Sequence, residues 1–135
     1  MNKMNDSHKT QLSVACLLLS VAEADEILKE PELNIIHDIL KDFLSIEDNI
    51  AFELIHDAQD KMKNSIGLFE FGQHLNTVFD HADKLDFITC VFEVAYADGD
   101  LHYLEHHTVK KIANVLNINR EDILTSKIEM ENYLD

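Results

Sequence analysis

Val94-Ala95-Tyr96-Ala97-Asp98-Gly99-Asp100-Leu101-His102-Tyr103-Leu104-Glu105 decides the fold, because the chain carries a version of the same stretch 73 positions earlier. There Val21-Ala22-Glu23-Ala24-Asp25 is followed by Glu32. Each copy lies between an apolar helical run and a second amphipathic segment. Each also sets an Asp and a Glu seven residues apart across a helix-helix corner. A helical hairpin of about 35 residues cannot bury its apolar face alone. The copies, spanning roughly 12–46 and 85–119, are therefore expected to pack on each other around a pseudo-twofold axis.

Working outward, the helical period covers the rest of the chain. A tail of residues 1–9, expected to be disordered, leads into a helix from about Thr10 to Ala24 that is apolar nearly all round, the mark of a helix buried on most faces. Pro31 suits the first turn of a second helix, which runs to about Leu44. A third starts at Ser45 or Glu47 and carries the stripe Ala51, Leu54, Ile55, Ala58 and Met62. Asn64, Ser65 and Gly67 break it. Leu68, Phe69, Phe71, Leu75, Val78 and Phe79 form a helical connector that plugs the core between the copies. Asp80 or His81 opens the helix to Ala97. The next helix carries Leu104, Val109, Ile112, Ala113 and Leu116, and Asn119 offers an N-cap for the last, Arg120 to Tyr133. The expectation is all-α, about seven helices, in one domain over residues 10–135.

Composition agrees. A chain of 135 residues, 46% hydrophobic, suffices for one core, and three Gly with one Pro favour helices. A formal charge of -15 with no Lys/Arg cluster makes nucleic acid and anionic membranes poor partners. The apolar runs Val14 to Ala22 and Phe87 to Ala97 are too short to span a bilayer. The polar N-terminus lacks a secretory signal, so the expected compartment is the cytoplasm. Cys16 and Cys90 then read as reduced, buried small hydrophobes; a disulfide between their equivalent helices is disfavoured by compartment but open by sequence.

The run Val94 to Glu105, continuing through Lys111-Ile112-Ala113-Asn114-Val115-Leu116, resembles the tellurite-resistance protein TerB-like family. The likeness covers roughly residues 12–128 and is nearest a bacterial branch with an aromatic connector where Leu68-Phe69-Glu70-Phe71 stands. The resemblance implies an all-helical domain, also found as the N-terminal module of the DjlA co-chaperones, with acidic corners that bind a divalent metal. It places the acidic positions on Asp25 and Glu32 in the first copy and on Asp98 and Glu105 in the second. The first copy departs from the family by carrying Glu26 where Gly is usual, a residue poorly suited to a left-handed backbone.

Two accounts of these acids stand side by side. Helix N-termini favour negative charge, which suits Glu32 and Glu105, whereas Asp25 and Asp98 at helix C-terminal ends need a cap to make or a cation to meet. Hard oxygen ligands point to Ca²⁺, Mg²⁺ or Mn²⁺. An EF-hand is excluded, since Val94 and Tyr96 occupy its first two acidic positions. His102 and His106, four apart, are weaker metal candidates; Tyr103 replaces the Glu that a metalloprotease HExxH needs. His37, His56, His74 and His81 read as surface residues, with one partly buried. No phosphate loop or set nucleophile supports catalysis. The expected function is a non-catalytic acidic domain that holds a divalent cation, linked to stress or tellurite-resistance type responses. The alternative is an interaction module docking an unknown basic protein partner without metal. Homo-oligomerisation stays open.

Overall fold

The computed structural model describes the backbone of residues 3–24, 30–64, 68–97 and 103–134, with side chains over 8–24, 30–64, 69–97 and 107–132. These residues form seven helices and no strand: α1 (Lys3–Ala22), α2 (Glu30–Leu44), α3 (Asp48–Lys63), α4 (Leu68–Val78), α5 (His81–Ala95), α6 (Tyr103–Val115) and α7 (Arg120–Leu134). The expected all-α class and helix order hold. The first helix begins at Lys3 rather than near Thr10; no Gly or Pro intervenes, and lengthening a helix costs far less than nucleating one.

The centre of the fold is α1. Its residues Val14 through Leu19 are all fully buried, which explains its all-round apolarity. Five helices surround it: α2, α3, α4, α5 and α6. By contrast, α5 packs against α1, α2, α6 and α7, burying Phe87, Ile88, Val91, Phe92, Val94 and Ala95 but leaving Thr89, Cys90 and Glu93 partly open. The contacts follow one scheme on both sides: α1 touches α2 and α3, α5 touches α6 and α7, and the two sets cross through α1–α5, α1–α6 and α2–α5.

Only α4 stands outside that scheme. It lies on α1 and α6, burying Phe71 and Leu75. Gly72 permits the fit, since a Cβ there would stand 2.3 Å from Val115 Cγ1. Asn76 Nδ2 donates to the carbonyl of Val115, and His74 Nε2 is hydrogen-bonded to Thr10 Oγ1 at 3.1 Å. The connector thus plugs one side of the core, with Phe69 65% exposed.

Local chemistry sets the helix ends. Asp80 and Asp83 form a reciprocal capping box at α5, and Asn119 accepts from the Asp122 N–H at 2.8 Å to cap α7, as its position predicts. Ser45 and Asn117 adopt left-handed backbone (φ 54° and 58°). Each turns the chain so that the following Ile amide reaches back, Ile46 to the Lys41 carbonyl at 3.1 Å and Ile118 to that of Ala113 at 2.9 Å. Ser45 therefore closes α2 rather than opening α3, whose N-cap is Glu47.

Candidate functional site

The two acidic corners leave their helices alike. At the end of α1, the Glu23 amide donates to the Leu19 carbonyl at 2.9 Å and that of Ala24 to Val21 at 3.2 Å. At the end of α5, Tyr96 donates to Phe92 at 3.0 Å and Ala97 to Val94 at 3.1 Å. The motifs match bond for bond up to the residue before each aspartate. Asp25 and Asp98 themselves lie outside the described residues, as do Glu26 and His102, and the side chains of Glu105 and His106 on α6.

Glu32 is described, and the residue is only 1% exposed in the first turn of α2. A charge removed from water needs a compensating partner, and Glu32 is not without one. Glu23, at the end of α1, has its carboxyl pushed above the usual glutamate range by burial. Among the described residues, no three His, Cys, Asp or Glu side chains stand together as a metal-holding group.

Tyr96, inside the second motif, does something the sequence does not announce. Its hydroxyl donates to Glu131 Oε2 at 2.8 Å, tying α5 to α7, and burial with this bond to a carboxylate pushes its pKa up to about 12. The four unclustered histidines include two partly buried ones rather than the one expected. His56 and His81 are exposed, whereas His37 and His74 are partly buried. The His37 ring stacks on Phe52 with centroids 4.2 Å apart, and its Nε2 lies 3.3 Å from the Asp48 carboxylate, which Lys41 Nζ also meets at 3.3 Å.

One concavity was not anticipated. A groove of about 560 Å³ runs between α2, α5 and α7. Ile39, Phe43, Thr89 and Cys90 supply its less polar lining, and Asp38, Asp42, Asp86, Glu93 and Glu129 surround it with carboxylates. Phe43 is backed by Phe79 and Phe87, with all three centroid separations 5.8 Å. Among the described residues, no Lys, Arg or His forms an ion pair with Asp42, Asp86, Glu93 or Glu129. Glu93 consequently holds its proton above the usual range, through burial first and then the charges of Asp38 and Asp42.

Cys16 is fully buried as expected, its Sγ 3.8 Å from the Ala58 carbonyl. Cys90 is only partly buried rather than buried as expected, because no described helix lies over the groove that it lines. Both are free thiols, and burial pushes each up to about 12, with Glu93, Asp86 and Asp42 adding to the effect at Cys90. Within single helices the groove acids are spaced one turn apart as Asp38 and Asp42, and two turns apart as Asp86 and Glu93, a pattern equally suited to a solvated face.

A family model described as Tellurite resistance protein TerB matches residues 11–127. Neither a curated protein nor a solved structure matches the chain. No described helix is long and apolar enough to cross a membrane.

Proposed function

The chain belongs to the TerB tellurite-resistance family, and from that premise we infer that it is a non-catalytic cytoplasmic domain holding a divalent cation between its acidic corners. The single observation that carries this reading is the burial of Glu32, the one motif acid whose side chain is described, at the start of α2. Asp25, Asp98 and Glu105 complete the hard-oxygen set, suited to Ca²⁺, Mg²⁺ or Mn²⁺, and His102 and His106 are lesser candidates. The matched helix exits after Leu19 and Phe92 support treating the two corners as equivalent. In the cell the domain would serve a stress or tellurite-type response. The test is the melting temperature of chelator-stripped protein against each cation, repeated on Asp98→Asn/Glu105→Gln. Saturable stabilisation, worth roughly 2.7 kcal/mol at a hundredfold excess over Kd, should be lost in the variant. An identical response in both proteins would sink the reading.

A second reading, docking of a basic protein partner, draws on Asp42, Asp86, Glu93 and Glu129 around the α2/α5/α7 groove, which have no ion-pair partner among the described residues. Binding of that kind weakens with salt and ignores chelators.

A further inference from the structure

The groove is the counterpart of the place where α4 sits. A shift of 73 positions carries α1 onto α5 and α6 onto α2, as the matched helix exits and the two buried stripes require. Ile39 and Leu40 thereby correspond to Ile112 and Ala113, all buried. The same shift carries Val115, on which α4 rests through Gly72 and Asn76, onto Asp42. It carries Ser13, Leu17 and Ser20 of α1 onto Asp86, Cys90 and Glu93. Ser13 and Leu17 are buried, whereas Asp86 is exposed and Cys90 half-buried. One side of the bundle thus has a helix laid across α1 and α6. On the equivalent side, across α5 and α2, no described helix lies.

We propose that this groove is a docking seat for a basic amphipathic helix of a partner protein, laid across α2 and α5 as α4 is laid across α6 and α1. The proposal rests on the docking reading and is independent of a cation at the corners. Helical shape follows from α4, an 11-residue helix whose Phe71 and Leu75, one turn apart, enter the core. Ile39, Phe43 and Cys90 offer the docked helix an apolar floor. Positive charge follows from the walls. Asp42, Asp86, Glu93 and Glu129 repel one another without an ion-pair partner among the described residues, so Lys or Arg beside the apolar stripe relieves that repulsion. A second copy of this chain is a poor occupant, because each carries a formal charge of -15.

The test uses the full chain in chelator and a fluorescent amphipathic peptide of α4's length, with Leu and Phe on one face and Lys and Arg elsewhere, read by fluorescence polarisation. A peptide of the same composition with its apolar stripe scrambled serves as control. Because any cation is drawn to this protein, Asp42→Asn/Glu93→Gln is compared with Glu53→Gln/Asp57→Asn, which removes the same charge from the exposed face of α3. We expect saturable binding of the patterned peptide and a loss of roughly tenfold or more both on scrambling and in the groove variant, with the α3 variant within about twofold of the parent. Amide shifts of the parent protein on peptide addition should centre on α2, α5 and α7, a readout that does not depend on any variant folding. Equal binding of the scrambled peptide, equal loss in the two variants, or shifts spread over the whole surface would overturn the proposal in favour of diffuse charge attraction. Loss of binding specific to Ca²⁺ or Mg²⁺ at matched ionic strength would overturn it in favour of a cation in the groove. The chelator keeps a failure at the corners from touching these outcomes.

Discussion

Helix α2 has two acidic neighbourhoods that behave oppositely. On one side Asp48, from the start of α3, is met by Lys41 and His37. On the other, Asp38 and Asp42 face Asp86, Glu93 and Glu129 around the groove, where the ion-pair contact among the described residues is a long one, His37 Nδ1 at 3.9 Å from Asp38 Oδ1. The first arrangement ties two helices together and is complete in itself. Apart from that long contact, the second adds no ion pair among the described residues, and its other carboxylates are best satisfied by something from outside. Net charge cannot distinguish the two, because only the placement of Lys41 and His37 separates a structural acid from one available for binding.

The most severe way to break this comparison is to remove its shared foundation. Phe87 is fully buried and its ring meets Phe43, which lines the groove from α2. Phe87→Ala should cost ~3–5 kcal/mol in urea unfolding and disturb the packing beneath both neighbourhoods. A loss under ~1 kcal/mol would mean that the aromatic cluster does not support the groove floor. Next in size, Tyr96→Phe removes the bond to Glu131 that ties α5 to α7 and should cost ~1 kcal/mol, the modest end for a bond to a charged group because Glu131 is exposed. An unchanged unfolding midpoint would show the tie to be idle.

The comparison sharpens with two neutralising substitutions of opposite expected sign. Asp48→Asn should lower stability by up to ~1 kcal/mol at low salt, less as salt rises, since the partners are partly exposed. Glu93→Gln should instead raise the melting temperature slightly, by ~1–2 °C at pH 7. The folded Glu93 carboxyl binds its proton more tightly than the unfolded one, through burial and then Asp38 and Asp42. Its ionised form is therefore a burden at neutral pH, relieved as pH falls through the folded pKa toward the ordinary value of 4.5. The gain should be largest near pH 7 and vanish toward pH 4.5. If both substitutions move stability the same way, the two sides of α2 do not differ as described.

Most of the fold was legible because it is written in short-range periodicity. Ala51, Leu54, Ile55 and Ala58 declare the buried stripe of α3 four positions at a time, and Asn119 declares a cap. Of the two starts open for α3, Glu47 is the N-cap, for a physical reason: Ser45, a good N-cap and a rare left-handed residue, here takes the left-handed place that Asn117 fills at the end of α6. The motif acids repeat in the sequence, but the burial of Glu32 was not legible there, because a first-turn Glu serves equally well facing water. The groove was beyond sequence reading. Its acids come from α2, α5 and α7, far apart in the chain, and each alone looks like an ordinary surface residue. Tyr96 and Glu131 meet for the same reason, through packing of α5 on α7.

The two cysteines have a practical consequence for spectroscopy. A thiol pushed up to about 12 carries about one thiolate in ten thousand at pH 8, so maleimide dyes should pass over the native protein. A cysteine introduced at an exposed rim position, as in Glu129→Cys, would then be the readily labelled sulfur, placing a fluorophore at the edge of the groove without removing either native thiol.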